Sequence, residues 1–345
     1  MVTSRDVAQL AGVSQATVSR AISSADKLSP ATIAKVQAAM DVLGYVPHAG
    51  AQAMKNRRTN IIGVVVAELT NPFYSEVLDE LSCTLGEAGY RVVMWNAGGG
   101  SHADALSAIR ERAVDGVVFT TATEDSAELQ AAVERNSPLV LINRTVHGFD
   151  CDQVTSDNLA GGRAVADHLL TSGRLRAAFL GGSPQASTSR DRSQGFLARM
   201  AGQGHPVPES LQLNGSFSYA RSAAITAELL TREEPPQAVF CANDYMAFGA
   251  LDALRSAGRS TSDLWVVGYD DVDMAAWPSF GLTTVRQPSR EMAREAVRML
   301  LTRLASPWLP PQRVQFPCRL VVRSSTPTAP HQTAPRAEGD RPPSG

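Results

Sequence analysis

The chain has 345 residues, is 43% hydrophobic and carries a formal net charge of -2, enough apolar material for more than one sizeable core and too much for a disordered chain. No run is long and apolar enough to span a membrane, and the N-terminus opens on a polar helix cap rather than an export signal, so a soluble cytoplasmic protein without membrane association is expected. Cys83, Cys151, Cys241 and Cys318 lie far apart without metal-ligand spacing and are expected to be buried, reduced thiols; the six histidines show no such spacing either, so no metal and no cofactor is expected. Charge is unevenly spread. Residues 1–60 hold seven basic side chains, all three lysines of the chain among them, against three acidic ones, giving +4 there and -6 elsewhere. The basic end is the one suited to nucleic acid.

At Thr3 the chain offers a helix N-cap with Asp6 three residues on, Gly12 permits a tight turn, and Ser14 caps a second helix beginning at Gln15. Ser29-Pro30 opens a third helix, in which Ile33, Val36, Met40 and Leu43 recur at helical spacing before Gly44. Val7, Leu10, Val13, Val18 and Ile22 supply a small three-helix core. The polar face of the second helix is then free for a major groove: Gln15 suits adenine, Arg20 guanine, and the Ala16 methyl thymine. The hydroxyls of Ser14, Thr17 and Ser19 suit phosphates, which fix position but read no sequence.

Residues 47–59 are Ala-rich, open with Pro47 and have length for two helical turns only. Such a helix is marginal alone in water and can be made to fold on DNA.

From Ile61 the pattern changes. Buried parallel strands are predicted at 61–66, 91–95, 116–119 and 139–142, with helices near 73–88, 103–113 and 126–136 between them. A second series places strands at 177–180, 238–241 and 264–267, among helices near 158–172, 189–202, 219–231 and 243–256. Two doubly wound α/β lobes follow, with a ligand cleft at the carboxyl ends of their strands. Gly98-Gly99-Gly100-Ser101 lacks the spacing of a dinucleotide loop and no phosphate-binding loop is present, so nothing reads as catalytic and no enzyme is expected.

Asp6-Val7-Ala8, Ala11-Gly12-Val13-Ser14 and Thr17-Val18-Ser19-Arg20 resemble the headpiece signature of the lac repressor (LacI/GalR) family of transcriptional regulators. The resemblance continues at 67–74, Thr155-Ser156-Asp157-Asn158, 241–250 and Val267-Gly268-Tyr269-Asp270, to about Ser325. It implies an N-terminal all-α helix-turn-helix headpiece (1–46), a hinge helix or linker (47–60) and a two-lobed periplasmic-binding-protein-like body (61–325) that binds effector and dimerises. The first lobe takes about 61–160 and 289–316 and the second about 161–288 and 317–325, with the helix at 289–304 returning to the first; 326–345 reads as a disordered tail without leucine heptads, so a homodimer is expected.

By the same resemblance the hinge enters the minor groove through Ala51, Met54 and Lys55, Met54 being the wedge where leucine is usual. His48 and Gln52 depart from the usual asparagine and arginine. Carried over residue by residue, the effector site comprises Phe73, Tyr74 and Asn143 from the first lobe and Arg190, Arg192, Phe217, Asn243 and Asp270 from the second. Asp157-Asn158 reads as a structural cap, and Asp244 as a cap or a ligand contact. The chain is therefore expected to be a repressor of a pseudo-palindromic operator, switched by a small molecule. A sugar is the family's commonest effector; sugar acids, phosphorylated sugars and nucleobases stay open. A solute-binding protein for sugar uptake shares the body but not the headpiece.

Overall fold

The computed structural model describes residues 2–23, 27–46, 58–66, 69–96, 101–123 and 126–326. Three helices form the headpiece: α1 (Ser4–Ala11), α2 (Gln15–Ser23) and α3 (Pro30–Leu43). Each starts as its sequence dictates. Thr3 and Asp6 form a reciprocal capping box, the Ser14 hydroxyl accepts the Thr17 N–H at 3.1 Å, and Ser29 accepts that of Thr32 at 3.3 Å. Gly12 ends α1 at φ 66°, a left-handed turn that a side chain disfavours. The core under these helices is Val7, Ala8, Val18, Val36 and Ala39. Leu10, expected inside, is 51% exposed. Val7, Ala8 and Ala11 define the buried stripe of α1, and Leu10 falls roughly a third of a turn from its centre.

The body is two six-stranded sheets. The first has the order β11-β5-β4-β3-β1-β2, built from β1 (Ile61–Val66), β2 (Arg91–Asn96), β3 (Gly116–Phe119), β4 (Leu139–Ile142), β5 (Asp152–Ser156) and β11 (Arg313–Phe316), all parallel. One face packs on α4 (Pro72–Glu87) and α11 (Ser289–Ala305) through Ile62, Val64, Val118 and Val140. The other packs through Val65, Val117, Phe119 and Leu141 on α5 (Ser101–Arg110) and α6 (Ala127–Glu134). Strand β2, expected to be buried, is the sheet's edge, and its Val93 and Met94 are exposed.

The second sheet, β12-β10-β9-β8-β6-β7, uses β6 (Ala177–Gly181), β7 (Gln212–Asn214), β8 (Ala238–Cys241), β9 (Trp265–Asp270), β10 (Thr283–Arg286) and the antiparallel β12 (Arg319–Val321). Its helices pair as α7 (Asn158–Thr171) with α8 (Ser187–Gly202) and α9 (Tyr219–Leu230) with α10 (Asp244–Ser256). Five short strands escaped sequence reading: β5, β7, β10, β11 and β12.

The chain passes between the sheets after β5, after β10 and after β11, and the crossings are stitched together. The Asp157 N–H donates to the Phe316 carbonyl at 2.8 Å, the Cys318 thiol to the Asp157 carbonyl at 3.1 Å, and the Ser156 hydroxyl to Gln287 Oε1 at 2.6 Å. Thr326, the last described residue, is fully buried and bonds His168 and Thr283. Of the cysteines, Cys151 and Cys241 are buried, Cys318 is half-buried, and Cys83, against expectation, is exposed on α4.

Candidate functional site

Gln15, Ala16 and Arg20 of the headpiece are exposed on α2. Gln15 Nε2 donates to the Ser4 hydroxyl at 2.9 Å, a bond to be exchanged for any base edge it reads. The Ser14 and Thr17 hydroxyls share a 2.8 Å hydrogen bond, and Ser19 is half-buried. Ala51, Met54 and Lys55, with His48 and Gln52, lie outside the described residues.

A cleft enclosing about 530 Å³ of space, its solvent-open mouth included, lies between the sheets. Its walls come from segments just past the carboxyl ends of parallel strands, where backbone ends free of the ladder leave side chains to converge. Asn71, Phe73 and Tyr74 stand at the start of α4, and Asn143 and Arg144 directly after β4. Facing them are Thr188 and Arg192 of α8, Ser216 and Phe217 after β7, Asn243 before α10, and Asp270 at the end of β9. Seven expected effector residues thus line one space. Arg190 does not: residues two apart on a helix point about 200° apart, so α8 aims Arg192 inward and leaves Arg190 beside the Asp191 carboxylate at 3.8 Å. Sequence reading missed Asn71, Arg144, Thr188 and Ser216; for Arg144 the signal was its place immediately after a strand end.

Arg192 organises the second-lobe wall. Only 3% exposed, its guanidinium donates to Asn158 Oδ1 at 2.8 Å and the Ala242 carbonyl at 2.6 Å, lies 3.5 Å from Asp270 Oδ1, and sits 3.6 Å from the Tyr269 ring centroid. Asn158 is therefore a brace for Arg192, while Asp157 caps α7 through Ala160. Asp270 Oδ1 also accepts from Gln287 Nε2 at 2.7 Å, and Gln287 in turn holds Ser156 at the crossings. A wall of the cavity and the joints between the lobes are thus one hydrogen-bonded unit.

The two asparagines differ in what they offer. Asn243 spends its Oδ1 on the Met246 N–H, leaving its amide N–H groups for the cavity. Asn143 is buried, lines the cavity and keeps an Oδ1 that has no partner. Asp244 faces away from ligand and holds the structure: it accepts from the Thr284 hydroxyl and the Val272 N–H. Strain concentrates here, since Asn143 (φ 73°), Ser216 (53°), Phe217 (57°) and Asp270 (124°) all have left-handed backbone, at about 1–3 kcal/mol each.

Burial pushes the Asp270 carboxyl up to about 7 in spite of Arg192 and Gln287, and burial with the nearby Asp270 charge raises Asp244 well above the carboxylate range. An acid with a raised folded value stabilises the fold fully below its unfolded value, and that contribution is lost as pH rises through about 7. His168, lowered by burial, acts in the opposite sense, so the useful reading is a difference. Between pH 5.5 and 8 the melting temperature of the ligand-free protein is expected to fall more steeply than that of Asp270→Asn; parallel curves would remove Asp270 as a titrating group.

Two family descriptions match the chain, "Bacterial regulatory proteins, lacI family" at residues 3–48 and "Periplasmic binding protein-like domain" at 166–326. The ribose operon repressor of Escherichia coli (strain K12) is 33% identical over 330 residues, covering 94% of this chain and 100% of the relative. Among solved structures, a complex of the transcriptional regulator CelR with cellobiose is 33% identical, covers 94% of this chain and 100% of its own, and has a TM-score of 0.71. The lac repressor dimer bound to operator and the anti-inducer ONPF is 27% identical, with coverage of 94% and 99% and a TM-score of 0.83. With headpiece, body and near-complete coverage in agreement, this chain belongs to the lacI family of bacterial regulatory proteins.

Proposed function

We propose that this regulator works as a homodimeric repressor in the cytoplasm, that α2 reads each half of a pseudo-palindromic operator, and that a sugar-like effector in the inter-lobe cavity sets its affinity for DNA. One observation carries the reading: an exposed reading helix and a lined cavity between two lobes occur in one chain. The cavity is equipped to bind. It presents flat aromatic faces at Phe73 and Phe217 beside polar groups of fixed orientation, the arrangement that holds a sugar ring by its face and its hydroxyls. Its most perturbed acid, Asp270, is tied to Arg192 and Gln287 rather than paired with a nucleophile, which favours binding over catalysis. The ribose operon repressor and the CelR–cellobiose complex carry sugars in their names, which supports that effector class.

Effector and DNA are coupled through lobe geometry. Contacts cross the cleft from the Thr145 N–H to the Ser187 hydroxyl at 2.9 Å and from the Asp273 N–H to Glu76 Oε1 at 3.2 Å. A ligand held by both lobes favours one arrangement of the crossings, and the first lobes carry it to the hinge; a few kcal/mol of differential affinity suffices. The test is selection of bound DNA from a random pool, with and without a sugar panel. A palindromic site gained or lost with one sugar is expected and gives the sign of the switch; no enriched sequence under any condition overturns the reading. In the same assay Gln15→Ala is expected to relax preference at one or two symmetric base pairs, a loss of about 1–3 kcal/mol of discrimination. An unchanged site removes Gln15 as a base reader.

A further inference from the structure

We propose that the effector is a sugar acid, whose carboxylate meets Arg144 while a hydroxyl meets Asn143. This rests on the cavity being the effector site, as above. Three charged side chains line the space: Arg144, Arg192 and Asp270. Arg192 and Asp270 satisfy each other, with Asn158, the Ala242 carbonyl and Gln287 completing their bonds. Among the described residues, the contacts of Arg144 are neutral. Its NH1 reaches the Thr121 carbonyl at 3.5 Å, the outer limit of a hydrogen bond, its guanidinium carbon lies 5.7 Å from the Phe217 ring centroid, and it bonds the Tyr74 hydroxyl, whose proton burial secures. Its Nε is buried with no partner. Among the described residues no carboxylate forms an ion pair with it.

Among the described residues, the cavity therefore holds one positive charge without an ion-pair partner. Removing a guanidinium from water without an anion is costly, and a ligand that brings the anion recovers that cost on binding. The surrounding backbone adds to the bias, since α4, α8 and α10 all present their N-terminal turns to this space through Phe73, Thr188 and Asn243. A planar carboxylate matches two adjacent N–H groups of a guanidinium. The other orphan, Asn143 Oδ1, accepts and cannot serve an anion; it calls for a hydroxyl donor. One ligand that answers both demands is a polyhydroxylated carboxylate.

The experiment is calorimetric titration of the full-length protein at pH 7.5 with matched pairs: gluconate and glucose, galacturonate and galactose, ribose 5-phosphate and ribose. In at least one carboxylate pair the acid is expected to bind tenfold or more tighter than its neutral counterpart. Arg144→Met is expected to erase that preference and Arg144→Lys to keep part of it, while thermal melts of both variants like the parent's separate loss of charge from loss of fold. A neutral sugar binding as well as its acid, or a preference that survives in Arg144→Met, overturns the charge assignment and leaves the cleft reading standing. A phosphate tighter than every carboxylate overturns the carboxylate. No binding by any of the six, together with operator affinity indifferent to all of them, overturns the sugar-like reading itself.

Discussion

Arg192→Met is expected to abolish the effector response and to destabilise the second lobe by about 3–5 kcal/mol, the usual cost of leaving one partner of a buried ion pair alone. The size follows from what the guanidinium does at once. It is 3% exposed, neutralises Asp270, satisfies Asn158 and the Ala242 carbonyl, and stacks on Tyr269. Methionine fills the volume but strands two acceptors and a carboxylate. The double variant Arg192→Met/Asp270→Asn removes the stranded charge as well, so it should regain part of the stability and none of the response. Urea denaturation followed by operator binding with and without effector reads both quantities. A single variant as stable as the parent, or a double variant whose loss equals the sum of the singles, would show that the pair is not a unit.

The second large effect comes from a place with no polar chemistry. Gly195→Ala is expected to cost about 3 kcal/mol or more, because a Cβ there falls 2.1 Å from the Leu159 carbonyl oxygen, and backbone cannot step aside as a side chain can. From the other helix Gly162 mirrors it, its Cβ position 2.2 Å from the Arg192 carbonyl oxygen. Helices α7 and α8 thus touch backbone to backbone, and this contact fixes Arg192 relative to its brace Asn158. Gly202→Ala, in the same helix with open space around it, is the control and should be nearly neutral in thermal melts. A loss at Gly195 no larger than that at Gly202 would remove close packing as the cause, since Gly→Ala by itself favours a helix.

Most of this architecture is legible in the amino-acid sequence, for physical reasons that also explain the gaps. Strands such as Ile61–Val66 and Leu139–Ile142 are buried on both faces, so they read as unbroken apolar runs, and helices announce themselves by caps and periodicity. The missed strands lack that signature. Asp152–Ser156 is a polar string by sequence, yet it is buried between β4 and β11: Arg303 neutralises Asp152 through two 3.0 Å contacts, and Gln153 spends its amide on the Val146 and Phe149 backbone. Only the fold supplies those partners. Family resemblance suggested seven of the residues that share the cavity, but it did not reveal that Asn243 has given its oxygen to a helix cap, that Asn143 has kept its own, or that Arg144 stands without an anion among the described residues. Those are properties of relative position, which spacing along a chain does not encode.

The strand order also bears on how the protein is made. A chain leaves the ribosome N-terminus first, and the headpiece can fold as soon as its own helices emerge. The lobes cannot. The first sheet waits for α11 to cover β3, β4 and β5 and for β11 to close the edge of β5, while the second waits for β12 to close the edge of β10. Because β11 and β12 are the last two strands among the described residues and lie close together in the chain, the two lobes are completed at nearly the same point of synthesis. A chain interrupted before Arg313 is a finished DNA reader attached to two open sheet edges, able to seek the operator and to pair with other strands, but unable to receive a signal.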